Sequence, residues 1–427
     1  MPSSNNTFQS SDGSHQRITS LIRSMGPGIM AASAAVGGSH LVASTKAGAL
    51  YGWQLAALIL LVNVFKYPFF RAGVHYTVGT GQSLVEGYSQ LGKQYLWAFA
   101  TLAVVSAVIN TAALTLFSAS LLGYFLPFEL TNITLSIIVI ALCMGLLIGG
   151  KYRVLDSLSK FIMLALTLTT VVAAVIAFNK PAEQLADFVA SSPWTLAAIG
   201  FIVITMGWMP APIEISALNS MWLKKQSSLQ PVTARSALFD FNVGYVTTAL
   251  LALVFLSLGA LMLFGTGTQL AESGMGFSHQ LVNLYAANIG DWSRYLIAVI
   301  AFLCIFGSTI TVIDGYARVI AESQRLISSN TEPNSERAAV MWIALLCTLG
   351  LAILHYYSAA LIPMLNFAMV MAFMTTPFFA LLNYVLLIRT PLPKELAPSA
   401  GLKWLSRIGL VYLFGFLGLF LWWRWIL

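Results

Sequence analysis

Met206-Gly207-Trp208-Met209-Pro210-Ala211-Pro212 stands in the middle of an apolar run, residues 195 to 222, that is long enough to cross a bilayer as a helix. Each of its two prolines removes a backbone donor and clashes with the preceding turn, so the helix is expected to unwind here. A second interruption lies near the amino terminus. Ala34-Ala35-Val36-Gly37-Gly38-Ser39-His40 puts paired glycines and two polar side chains at the centre of the run 25 to 44. Non-helical backbone is tolerated at membrane depth only where it is buried in protein or lines a cavity. A proline kink without function is the plain alternative for 206–212 taken alone.

The rest of the chain has the same apolar character. Of 427 residues, 58% are apolar and 9% charged, whereas a soluble domain is about a quarter charged. So few charges cannot cover an aqueous surface, and the chain is read as an integral membrane protein with the lipid bilayer as its main partner. Beside the two interrupted runs, apolar windows fall at 50–72, 96–124, 131–149, 154–179, 237–264, 292–325, 338–358, 359–388 and 403–426. That makes eleven expected spans. With the amino terminus in the cytoplasm, eighteen of the 22 basic residues, Lys66, Lys151, Lys224 and Arg318 among them, fall on the inner side. Lys46, Lys180, Arg294 and Arg424 fall outside, the bias expected of an inner-membrane protein whose carboxyl terminus is outside.

The net charge of +7 comes from basic residues scattered singly or in pairs between apolar runs, so it does not suggest nucleic acid. Residues 1–24 are polar, lack a signal-peptide core and read as a flexible cytoplasmic tail. Cys143, Cys304 and Cys347 all sit in apolar runs, without metal-ligand spacing. Trp222, Trp422, Trp423 and Trp425 near span ends fit an interfacial aromatic belt.

The register of the breaks is informative. They fall in spans one and six, the matching first members of two five-helix halves, residues 25–179 and 195–388, with 403–426 as an added helix in a single membrane domain, 25–427. Inverted-repeat transporters build their substrate sites from such discontinuous helices. The half-helix ending near Val36 turns unpaired carbonyls and a negative dipole end toward the centre, which favours a cation. The second half of span six begins near Pro212, so Glu214 sits beside a positive dipole end.

At this point the residues resemble the Nramp family of divalent-metal transporters. Gly26-Pro27-Gly28 and Lys46-Ala47-Gly48-Ala49-Leu50-Tyr51-Gly52-Trp53 look like its first-helix region, and Thr80-Gly81-Gln82-Ser83-Leu84-Val85-Glu86 like its segment after helix two. Gly150-Lys151-Tyr152-Arg153, Met209-Pro210, Ser308-Thr309-Ile310-Thr311 and Gly315-Tyr316-Ala317 match further landmarks. The resemblance implies an all-α integral membrane fold of the leucine-transporter type, two inverted repeats with helices 1 and 6 broken at the midplane. It also implies transport of a divalent cation (Mn, Fe or Mg) with no cofactor.

The chemistry departs from the family pattern. Where the family carries Asp-Pro-Gly-Asn this chain has Gly37-Gly38-Ser39-His40, and Met-Pro-His becomes Met209-Pro210-Ala211. The third span, acidic in proton-coupled members, has no acid between Trp97 and Phe128, so the usual proton coupling is not expected.

Candidate substrate-binding residues are therefore Gly37, Gly38, Ser39, His40, Met206, Met209, Glu214 and Asn366. His40, Met209 and Glu214 are the metal-ligand candidates, since thioether and imidazole suit softer ions and carboxylate harder ones. Each has a plainer reading: Met209 as packing, His40 as a hydrogen-bonded core residue, Glu214 as a helix cap. Asp314 lies on the pathway or forms an ion pair with Arg318, four residues on. No nucleophile elbow, phosphate loop, HExxH or nucleotide fingerprint is present, so neither enzyme activity nor ATP drive is expected. Two alternatives to metal transport stand: transport of a small organic or zwitterionic solute, and a non-transporting sensor derived from a transporter.

Overall fold

A computed structural model describes residues 25–179, 181–268, 271, 274–328, 336–357 and 361–426; the amino-terminal tail lies outside them. Every regular element among the described residues is helical, the form in which an apolar run satisfies its own backbone in lipid. The first break separates α1 (Pro27–Ala35) from a π-helical turn (Ser39–Ser44) and α2 (Thr45–Tyr51). Then come α3 (Ala56–Thr80), the short α4 (Leu84–Leu91), α5 (Lys93–Gly123) and α6 (Asn132–Asn179). The second break separates α7 (Ile199–Trp208) from α8 (Ile215–Leu229). The chain continues through α9 (Ala234–Met262), α10 (Gly274–Ile289), α11 (Arg294–Ile327), α12 (Glu336–Tyr357), α13 (Leu361–Arg389) and α14 (Ala400–Trp425).

Among the described residues nine stretches are long and apolar enough to cross a membrane. With the two broken runs they occupy the eleven windows read from the sequence. Both interruptions are present: helical bonding lapses at Val36–Gly37 and again over 209–214. Between windows four and five the backbone remains helical through Gly149 and Gly150. A glycine inside a helix costs only about 1 kcal/mol and, unlike proline, leaves the hydrogen-bond ladder intact.

α11 is the most enclosed of the long helices and packs against α5 and α6. Span one lies along α9 at backbone distance. A Cβ on Gly244 would overlap the carbonyl of Gly28, and one on Gly48 would overlap that of Leu256. Glycine is thus required on either side of the first break, as small residues are wherever membrane helices pack closely. Asn383 of α13 fastens the middle: its amide donates to the Phe69 carbonyl and the Ser216 hydroxyl, both at 2.8 Å. Its oxygen accepts from Tyr88.

Two sequence expectations need correction. Trp222 does not belong to an interfacial belt. It is fully buried and its indole donates to Asp314 at 3.1 Å, because a polar partner inside the bundle satisfies its N–H. Trp422 and Trp425 are exposed, as a belt requires. Nor is Lys66 an aqueous, orientation-setting charge. It is buried against the second break, where backbone carbonyls supply the partners that water would have given.

Candidate functional site

At the first break, Val36 leaves the helix with extended backbone angles of −81° and 93°. The carbonyls of the last turn do not open onto empty space. Ala34 accepts from Ser308 at 2.9 Å, Ala35 from Ser39 at 2.9 Å and Val36 from the Cys304 thiol at 3.3 Å. The paired glycines allow this closure. A Cβ on Gly37 would stand 2.8 Å from the Ser308 hydroxyl, and one on Gly38 2.7 Å from the Trp208 ring.

At the second break, α7 stops at Trp208 and the peptide between Met209 and Pro210 is cis. The freed carbonyls of Met206 and Gly207, with that of Ala211, converge on the Lys66 ammonium at 2.9, 3.1 and 3.3 Å. Both negative dipole ends are therefore occupied by groups of the protein itself.

The breaks face each other across a hollow of about 20 Å³, room for roughly one water molecule. Its polar lining is Ser39, Asn110, Ser308 and Tyr316; Gly38, Trp208, Pro212, Leu114 and Val312 supply the apolar part. Behind Tyr316 sits Glu214, fully buried. One of its carboxylate oxygens accepts from the Tyr316 hydroxyl at 2.9 Å, and the other has no hydrogen-bond partner.

The candidates from sequence thus divide. Gly38 and Ser39 line the hollow, and Glu214 adjoins it. His40 points toward α9, with its two ring nitrogens 2.7 Å from the Ser39 hydroxyl and 2.9 Å from the Thr248 carbonyl. That carbonyl only accepts, so the facing nitrogen carries a proton and offers no lone pair. The sulfur of Met209 receives Ser44, and that of Met206 receives Tyr412, each at 3.7 Å. Asn366 is half-buried and outside the lining. Asp314 forms the ion pair with Arg318 at 2.9 Å. Among the described residues no group of three or more His, Cys, Asp or Glu side chains is gathered as a metal site.

Beyond Asp314 the bundle carries an ionic cluster. Arg318 also reaches Glu336 at 3.2 Å, and Lys224 reaches Glu86 at 2.6 Å. Glu86 also caps α4 from its third position, accepting the Ser83 amide at 2.7 Å. Burial pushes the Glu86 carboxyl up, but Lys224 and the Ser83 donors outweigh it and hold the group below its ordinary 4.5.

Residues 28–423 match the family described as Natural resistance-associated macrophage protein-like. The chain belongs to the Nramp family. Its members are transporters, so this Nramp chain is a membrane transport protein and not an enzyme. It is 52% identical over 402 residues to an uncharacterized protein of Pasteurella multocida (strain Pm70), covering 93% of this chain and 91% of that one.

Among solved structures, a mutant of the Eremococcus coleocola manganese transporter superposes with a TM-score of 0.67 at 12% identity, over 96% of this chain and 88% of the other. MhsT in complex with L-phenylalanine gives 0.64 at 12% identity, over 92% and 98%. A nucleobase-cation-symport-1 family transporter with bromovinylhydantoin bound gives 0.62 at 12% identity, over 93% and 92%. These likenesses establish the leucine-transporter-type fold expected from the sequence.

Sequence reasoning passed over Lys66, Asn110, Ser308 and Tyr316 as site residues. For Lys66 the signal was available, an ionisable side chain within the apolar run 50 to 72. Ser308 and Tyr316 lay inside quoted family landmarks. Asn110 had no signal beyond being polar in a span.

Proposed function

We propose that this Nramp chain is a secondary transporter that carries a divalent cation by alternating access through the hollow between its two broken helices. The observation that carries the reading is the meeting of both breaks at a small cavity whose polar lining is oxygen-rich, with the unpaired, buried oxygen of Glu214 behind Tyr316. Hard cations such as manganese or magnesium take carboxylate, carbonyl and hydroxyl oxygens. The manganese transport named for the solved neighbour agrees with that choice. Iron, which favours softer donors, is less well served, since the Met209 sulfur is turned toward Ser44. The third span contributes Asn110 in place of an acid, so transport proceeds without the family's usual proton route. The cytoplasmic amino terminus, outer carboxyl terminus and inner-membrane location remain part of the proposal.

One observation favours a second reading, a small organic or zwitterionic solute. Lys66 already supplies a positive charge at the span-six carbonyls, and the described residues gather no ligand cluster. Calorimetric titration of the purified protein with manganese, magnesium and a panel of amino acids separates the two. Heat with a divalent ion that disappears in Glu214→Gln supports the first. Saturable amino-acid uptake into proteoliposomes without metal heat replaces it with the second. Folded protein with neither heat nor flux returns the sensor reading.

A further inference from the structure

Lys66 is the one lysine or arginine that is fully buried among the described residues. It projects from the middle of α3 within Asn63-Val64-Phe65-Lys66-Tyr67-Pro68-Phe69 and, among the described residues, forms no salt bridge. An ammonium has three protons to donate, and Lys66 meets three acceptors, the carbonyls of Met206, Gly207 and Ala211.

Two of these carbonyls end α7 and have no helical partner, because the following residues are extended or part of Pro210 and Pro212. They also form the negative pole of the half-helix. The arrangement is therefore a ring of backbone oxygens at an unwound helix, the construction by which membrane proteins hold small monovalent cations. Here the cation arrives on a side chain.

We propose that Lys66 is a tethered cation that permanently fills a monovalent-cation site at the break in span six. The transporter accordingly requires no bound sodium or potassium to keep this break in shape, and shortening the side chain recreates the site for a free ion. Glu214 lies three residues beyond Ala211, the last carbonyl of the ring, and would balance either occupant. The proposal holds whichever solute the hollow carries, and a divalent ion would have to bind on the side of Ser39 and Ser308, away from the filled ring.

The test is cation-dependent melting of the full-length purified protein, comparing wild type, Lys66→Ala and Lys66→Met in sodium, potassium, methylammonium and choline chlorides at matched ionic strength. The expected result is a wild-type midpoint indifferent to the salt. For Lys66→Ala the midpoint is lowered in choline and restored, saturably, by methylammonium or an alkali cation. Lys66→Met, whose apolar chain plugs the space, is lowered in every salt. Saturable binding of radioactive sodium by Lys66→Ala, absent from wild type, is the second readout.

A Lys66→Ala midpoint that ignores the cation overturns the proposal, as does failure to recover folded Lys66→Ala in any of the salts. A wild type that itself gains stability from sodium also overturns it. None of these readouts involves a divalent ion or transport, so their failure is distinct from failure of the proposed function.

Discussion

Gly207 is among the tightest positions in the bundle. A Cβ built there overlaps the carbonyl oxygen of Met369 on α13, stands 2.9 Å from its carbon and 3.3 Å from the Cβ of Phe373. Carbon atoms settle about 3.5 Å or more apart, so for Gly207→Ala α7 must withdraw by at least about 0.6 Å from a rigid backbone. Overpacking of this kind costs typically 1–3 kcal/mol, against roughly 1 kcal/mol gained because alanine favours a helix. The two opposing terms leave a net loss of about 0–2 kcal/mol, toward the upper end because the Cβ overlaps the Met369 oxygen. The displaced segment also carries the carbonyls that hold Lys66, so solute binding should weaken together with stability.

Gly415→Ala on α14, where a Cβ meets nothing within 4 Å, keeps the propensity gain without the clash. Melting of both variants against wild type, followed by tryptophan fluorescence in one detergent, is the assay. Gly207→Ala should melt below wild type and Gly415→Ala at or above it. If Gly207→Ala melts at or above wild type, the close packing of α7 on α13 described above is not how these helices meet.

Further outcomes follow from the same contacts. Asn383→Ala removes donors to Phe69 and Ser216 and the acceptor for Tyr88 at one stroke; a loss of roughly 2–5 kcal/mol is expected in a denaturation series. His40→Ala empties a fully buried site and removes the imidazole's bonds to Ser39 and to the Thr248 carbonyl, so it should lower the melting point by the equivalent of about 2–4 kcal/mol while divalent-cation heat persists; selective loss of that heat in a fully stable variant would make His40 a ligand after all. The depressed Glu86 carboxyl contributes stability that is complete above its ordinary 4.5 and is lost as the pH falls through its lower folded value. Glu86→Gln should therefore melt below wild type at neutral pH, and the gap should close in acid. Cys304, buried with its thiol on the Val36 carbonyl, should resist maleimide until a solute or a variant opens the first break.

Much of the architecture was readable because lipid leaves the chain few options. Paired prolines at 210 and 212 and paired glycines at 37 and 38 mark the breaks in any environment, and the apolar windows mark the spans. Side-chain direction was not readable. His40 and Ser39 are neighbours in sequence, yet the break turns one toward α9 and the other into the hollow. Lys66 was misassigned for a related reason: hydropathy registers a charge within a run but not the three carbonyls that wait for it. Between windows four and five the helix runs on past Gly149 and Gly150, because glycine permits a turn without compelling one.

The glycine contacts between span one and α9 carry a consequence for movement. At Gly28 with Gly244, and at Gly48 against Leu256, backbone rests on backbone, so each half of span one lies on α9 like a plank fixed to a beam. The slack between the two fixings is the short extended link at Val36 and Gly37. A rocking motion that parts span one from span six must either take α9 with it as ballast or bend at that link alone.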